Sequence, residues 1–441
     1  LEACGSAAPL LHGMHLALAL AQQLALLTEA PHMIMVTCGA VAFGDAASDA
    51  AHGGAWGFAR VVRLEHAALR TQSADIARGE RLVASAVLLS PTPEAEAAWT
   101  GNVHGVVRLR ACTWSSSKAH ALLAAGAYAI TGGLGGLGLC AAKMLVDNGS
   151  SRVLLASRSG HVVRDGQGLE AQLQSLGVAA AVMTGDSACA RDATALISTR
   201  SFAGVLHAAG AGDKGLLADV ESQRVQWMYG PKATGAWYLQ CAAVTAPLET
   251  RVLFSSVGSG LGNVGQANYA AGNACLDSHA LSLRASGTVA CSLQWPLVGG
   301  AGMGAAAFAA LGERQVAIAG LAGISLDEYA ACLRAQLAVC LGVAFSVQIV
   351  HLSDVHGLTS DLADPSQARF GELVAQTKQG PARMALGSLG VALAAGSALT
   401  SSLAHLGLSQ RRGHIEAAVL RVVRELTGVP TASLTTETPL M

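Results

Sequence analysis

Charge is scarce in this sequence. Asp, Glu, Lys and Arg make up only 13% of its 441 residues, and 28 basic residues are offset by 29 acidic ones to a formal net charge of -1. That balance gives no electrostatic basis for gripping nucleic acid or an anionic membrane. Ten cysteines occur singly, with no C-x-x-C and no Cys/His spacing of a zinc site. No metal is expected, and buried reduced thiols are, as in the cytoplasm or another reducing compartment. The start lacks an initiator Met and a basic stretch ahead of an apolar core, so there is no secretory signature, and the chain reads as a piece of something longer. Residues 384–410 carry no charge at all, yet Gly387, Gly390, Gly396 and Gly407 dilute them, and a linker or a covered helix is expected there rather than a membrane span.

What is abundant is apolar: hydrophobic residues reach 52%, enough for large cores and two or three domains. The first third alternates helix and strand. "MHLALALAQQLALL" (14–27) reads as a largely buried helix and "HMIMVTCGAVAF" (32–43) as a covered parallel strand. No Gly-rich fingerprint and no cluster of titratable residues stands out here, which points to a structural role. The polar run "RLRACTWSSSKAH" (108–120) marks a boundary. Beyond it, "AYAITG" (127–132) predicts a strand, "LGLCAAKMLVDNG" (137–149) a helix, and "SRVLLASR" (151–158) the next strand.

At the first of these junctions, Gly133, Gly135 and Gly138 form G-x-G-x-x-G inside a βαβ unit, the setting of a dinucleotide fingerprint. The first glycine would permit the tight turn, the second would let a pyrophosphate approach the backbone, and the third would pack helix on strand. The second strand ends in Ser157 and Arg158 with no carboxylate, so a 2'-phosphate on Arg158 is favoured over a bare ribose; the alternative is that Arg158 caps a sheet edge. Asp186, after the third strand, would meet adenine or serve as a turn residue. Further on, "RVLFSS" predicts a strand delivering Ser256 at its C-terminal end, with a helix from Tyr269 onward. Tyr269 and Asn273 then share a helix face. A serine and a phenol converging on a cleft can hydrogen-bond a carbonyl and protonate the developing alkoxide.

These motifs resemble the short-chain dehydrogenase/reductase superfamily, whose T-G-x-x-x-G-x-G pattern is met by Thr131, Gly132, Gly136 and Gly138. The sequence is more closely similar to the ketoreductase domains of modular type I polyketide synthases. "ITGGLGGLG", "LLASRSG", "GVLHAAGAGDKG", "GPKATGAW", "LFSSVGSGLGNVGQANYAAGNACLD" and "SLQWPLVGGAGM" follow in that family's order. The resemblance covers roughly residues 7 to 355. It implies an α/β fold: a Rossmann-like doubly wound parallel sheet in a catalytic subdomain (119–355), packed on a truncated Rossmann-like structural subdomain (1–118). Residues 356–408 would be a linker, and 409–441 resemble the truncated start of an acyl carrier protein.

The resemblance further implies NADPH-dependent reduction of a 3-keto group on an acyl thioester, held on the carrier's phosphopantetheine arm. Tyr269 would donate the proton and Ser256 would hydrogen-bond the carbonyl oxygen. Lys232 would lower the tyrosine pKa and touch the nicotinamide ribose, while Asn273 would place lysine and a relay water. Cofactor contacts are implied at Gly133, Gly135, Gly136, Leu137, Gly138, Ser157, Arg158, Asp186, Ala208, Ala209, Lys232 and Tyr269. Substrate and lid contacts are implied at Leu261, Pro296 and Met303. The usual B-type Leu-Asp-Asp is replaced by Gly212, Asp213 and Lys214, and the A-type Trp by Leu261; Asn268 is a B-type companion, although Val264 replaces its usual proline. B-type alcohol stereochemistry is the expectation. Two rival readings are a catalytically silent scaffold of a synthase module and a free-standing reductase of soluble ketones.

Overall fold

The computed structural model describes residues 7–41, 48–79, 94–101, 103–109, 126–163, 167–301, 323–339, 346–348, 367–379 and 410. After helix α1 (Leu11–Ala25), strand β1 (Ile34–Cys38), helix α2 (Gly54–Glu65) and strands β2 (Gln72–Ile76), β3 (Glu96–Thr100) and β4 (Val103–Val106) build the first unit. Its sheet runs β1-β2-β3-β4, parallel except for β4, which turns back antiparallel on β3.

The second unit alternates strand and helix. In chain order it contains β5 (Ala127–Thr131), α3 (Gly136–Asp147), β6 (Arg152–Ser157), α4 (Leu169–Leu176), β7 (Ala180–Thr184), α5 (Ala190–Ser198) and β8 (Gly204–His207). Then come α6 (Ser222–Tyr229), α7 (Gly235–Ala242), β9 (Thr250–Ser256), α8 (Val257–Leu261), α9 (Ala267–Ala285), β10 (Cys291–Trp295), α10 (Leu326–Val339) and β11 (Ser346–Gln348). The sheet order is β7-β6-β5-β8-β9-β10-β11, with every pairing parallel. This is a Rossmann-like doubly wound α/β sheet. Its strand order reverses between β5 and β8, which opens a crevice at the C-terminal strand ends.

Burial follows from that layering. Strand β5 is covered on both faces, so Tyr128, Ala129 and Ile130 are all 1% exposed or less. Phe254, Trp295 and Tyr329 cluster at one end of the core, the last two with ring centroids 4.5 Å apart, and the Tyr329 hydroxyl donates to the Leu137 carbonyl at 2.9 Å. A separate core of Met14, Leu18, Phe58, Val62, Tyr229 and Ala270 is drawn from both units. Close approach of α2 to α9 depends on glycine: a Cβ on Gly57 would overlap the Ala270 carbonyl, and one on Gly53 the Ser278 side chain.

Several local expectations change. Helix α1 buries only the Met14, Leu18 and Ala21 side, with Leu16 and Leu20 half exposed, because it covers the body from one flank. Strand β1 lies at the sheet edge, so Val36 and Cys38 are exposed rather than covered. A titratable cluster does exist in the first unit: Glu96 pairs with Arg60 at 2.7 Å and with Arg63, and Arg369 lies 3.6 Å away. Within the span read as a linker, residues 367–370 join the folded body: Arg369 and Phe370 are buried, and helix α11 (Gly371–Gln379) follows. Other than Gln410, the carrier-like tail lies outside the described residues, as does most of the 384–410 stretch. Among the described residues no helix is long and apolar enough to cross a membrane.

Candidate active site

The turn between β5 and α3 is built from close packing. Gly132 takes φ +67°, and a Cβ there would stand 2.7 Å from the Ala208 carbonyl carbon. The left-handed residue is therefore Gly132, one place before the Gly133 to which the G-x-G-x-x-G reading gives the tight turn. Gly133 is required by packing, since its Cβ would meet Ile130 O at 2.7 Å and Leu155 Cα at 2.9 Å. Gly138 packs the helix back onto the turn, with Gly132 O 2.5 Å from a Cβ. Gly135 is the open one, with only Gly132 O within reach at 3.2 Å, and as N-cap of α3 it brings no capping side chain. The α3 N-terminus thus presents bare backbone, the arrangement that receives a phosphate.

This turn forms one end of a cavity of about 1190 Å³. Gly135, Gly136, Leu137 and Gly138 line it, as do Ser157, Arg158, Asp186, Ala208 and Ala209; Gly133 stands behind the wall as packing. Arg158 is exposed at the end of β6. Asp186 is used in its own turn, where Oδ1 accepts from Ala188 N at 2.9 Å. Lys232, Ser256, Tyr269 and Pro296 line the other end. Leu261 does not: it is 3% exposed, and Gly262 and Asn263 after it line the cavity instead. Met303 lies outside the described residues.

Three elements converge on the polar group at that end. Ser256 closes β9 and N-caps α8, accepting from Gly258 N at 3.2 Å. Tyr269 enters from the first turn of α9. Burial raises its pKa, while hydrogen bonds from the Ser256 and Asn273 side chains pull the other way without cancelling the rise. Lys232 comes from a π-helical turn, Gly230–Thr234, a local widening often found where a side chain must be aimed. Its ammonium donates to Phe254 O at 2.8 Å and stands 5.8 Å from the Tyr269 ring centroid. Burial lowers the Lys232 pKa to about 8, opposed by the Asp277 carboxylate. Asn273 Nδ2 donates to the Tyr269 carbonyl at 2.9 Å, and its Oδ1 is buried without a hydrogen-bond partner among the described residues.

Two supporting residues escape sequence reasoning. Asp277, one more turn along α9, accepts from Ser259 Oγ at 2.6 Å, Ser292 Oγ at 2.6 Å and Gln294 Nε2 at 2.7 Å, tying α9 to α8 and β10. The four-residue step from Tyr269 to Asn273 continues to Asp277, so a signal was there. His207 spans Thr131 Oγ1 at 2.7 Å and Lys232 O at 3.0 Å, and burial pushes its pKa down to about 4, keeping it neutral. At the cleft mouth, Asp213 accepts from Asn268 Nδ2 at 2.6 Å and from Arg224 Nε at 3.0 Å. Burial would raise its pKa, but these bonds bring it below the ordinary value. Lys214 is exposed and lines the cavity.

A strand-end glycine turn, an arginine and a Ser–Tyr–Lys group around one cavity are the features against which known proteins can be compared. Residues 126–300 match the family model of the KR domain. The matched segment runs from β5 to just after β10. Among curated proteins, the chain is 33% identical over 317 residues to the spectinabilin polyketide synthase system protein NorB of Streptomyces orinoci, covering 70% of this chain and 14% of that protein. It therefore spans about one seventh of that relative's length. Among solved structures, an A-type ketoreductase from a modular polyketide synthase superposes with a TM-score of 0.71 at 27% identity, covering 81% of this chain and 78% of that one. A C2-type ketoreductase from a modular polyketide synthase gives 0.66 at 29%, covering 79% and 77%.

Proposed function

We propose that the chain reduces the 3-keto group of an acyl thioester to the 3-hydroxyacyl thioester, with NADPH as reductant and the acyl chain on the phosphopantetheine arm of an acyl carrier protein. One observation carries this reading: Ser256, Tyr269 and Lys232 line the same cavity whose far end is the glycine turn and Arg158. The residues present fit the cofactor. Gly135 and the α3 N-terminus leave room and donors for a pyrophosphate. Arg158, in place of a carboxylate, suits a 2'-phosphate and favours NADPH over NADH.

When bound, NADPH supplies the hydride. The chain's own residues manage the proton and the oxygen. Tyr269, held protonated at neutral pH by burial, donates from its hydroxyl to the ketone oxygen, and Ser256 Oγ hydrogen-bonds the same oxygen as charge develops on it. Lys232, fixed by Phe254 O, keeps a positive charge beside the phenol ring below about pH 8. The buried Asn273 Oδ1 is an acceptor for a relay water that returns a proton to Tyr269. The B-type product is favoured by the Asp213–Asn268 pair beside Tyr269 and by Leu261 in place of the A-type Trp.

The test is NADPH oxidation, followed by absorbance, with a simple 3-ketoacyl thioester. Tyr269→Phe should lower the rate by about 10²- to 10⁴-fold while the protein still binds NADPH, and chiral chromatography of the alcohol reads the stereochemistry. Equal rates in the two proteins would sink the assignment of Tyr269.

A further inference from the structure

Helix α2 ends in Glu65, whose carboxylate is shared between two loops facing each other across the cleft mouth. Oε1 accepts from Gly265 N at 2.7 Å and Oε2 from Leu217 N at 2.6 Å. The loops also meet directly: Gly215 N donates to Gly265 O at 2.9 Å, and Gln266 Nε2 donates to Asp213 O at 3.3 Å. One loop lines the cavity with Gly212, Asp213 and Lys214, the other with Gly262, Asn263 and Gln266. Gly265 holds φ +75°, a conformation that turns its amide toward Glu65 and that few other residues adopt.

The anchor belongs to the first unit, 152 residues from one loop and 200 from the other. It does not swing freely. Arg60, five residues earlier on α2, donates to Ser259 O at 2.6 Å in the helix that follows Ser256, and it is itself held by Glu96. The two backbone donors reach different oxygens, and only a carboxylate supplies two acceptor oxygens at this length. A glutamine would keep one loop and turn an NH2 group toward the amide of the other.

We propose that Glu65 is a positioning residue that clamps the 212–217 and 262–266 loops together and thereby sets which face of a bound ketone meets the reductant. The stereochemical part rests on the reductase reading; the clamp itself does not. Hydrogen–deuterium exchange of the whole chain reads the clamp, with Glu65→Gln and Glu65→Ala compared to the parent. In Glu65→Gln, amides of one loop should exchange roughly tenfold faster, and in Glu65→Ala those of both, with the 132–138 turn unchanged. Unchanged exchange in both loops, or equal acceleration throughout the protein, would overturn the clamp. With a 2-methyl-3-ketoacyl thioester, Glu65→Gln should raise the minor alcohol stereoisomer about fivefold and raise KM more than it lowers kcat, with NADPH affinity unchanged. An unchanged isomer ratio beside faster loop exchange would overturn the stereochemical role. If the parent chain reduces no ketone at all, the reductase reading fails while the exchange data still decide the clamp.

Discussion

The two sheets finish their first strands alike and then diverge. Strand β1 runs into Gly39 at φ +69° and β5 into Gly132 at φ +67°. In the first unit, the neighbouring strand β2 contributes Asp75, whose carboxylate accepts from Ala40 N and Val41 N at 3.0 Å each and from Thr37 Oγ1 at 2.6 Å. In the second, the neighbouring strand β6 contributes Ala156 and Ser157, and the turn faces a cavity. One unit fills its strand-end turn with its own carboxylate. The other leaves backbone and a helix N-terminus for an anion from outside. Asp75 closes the first joint, while the glycine turn and the α3 N-terminus form a cradle in the second.

The largest effect is expected where the first unit holds its charge. Burial alone would raise the Glu96 carboxyl, but Arg60 and Arg63 outweigh it and hold the pKa well below the carboxylate range. Glu96→Gln strands these guanidinium groups and should lower stability by about 3–5 kcal/mol, read from urea unfolding. Because the folded pKa lies below the unfolded one, the stabilisation is present above the unfolded value of about 4.3 and is lost as pH falls below it; the variant should lack that acid-side decline. A stability within 1 kcal/mol of the parent, as an order-of-magnitude bound, would mean the ion cluster is replaceable.

A middle-sized effect tests the comparison itself. Asp75→Asn offers one acceptor where two amides donate, and should cost about 1–3 kcal/mol of stability while NADPH oxidation stays at the parent rate. A matched fall in rate would mean that the two turns are not independent. The smallest effect concerns pH. Lys232 loses its proton as pH rises through about 8, so the reduction rate should fall by no more than about tenfold for each further pH unit. A flat profile from pH 7 to 10 would remove the ammonium from the mechanism.

Much of the second unit could be read from the chain, because its signals are local. Five glycines follow an apolar strand and precede an apolar helix, and Tyr269 and Asn273 sit one helical turn apart. Which glycine takes the left-handed conformation was less legible: Gly132 and Gly133 are adjacent, and only the packing of Ala208 against one and Leu155 against the other separates their roles. The Glu96 cluster was not legible at all. Its arginines lie 36 and 33 residues before it on α2, with a third far downstream, and periodicity says nothing about which distant charges meet. Helix α1 shows the same limit, since an apolar run does not reveal which side is covered. The family resemblance put Leu261 at the substrate, in the place of the A-type Trp, but its side chain is buried and does not line the cavity.

The account's central claim is that one strand-end turn is open to a phosphate-bearing cofactor and the other is closed by Asp75. Equilibrium titration of the chain with NADPH, followed by cofactor fluorescence, tests it most directly. The prediction is a single equivalent bound per chain, more tightly than NADH. Two equivalents, or none in a folded chain, would contradict it.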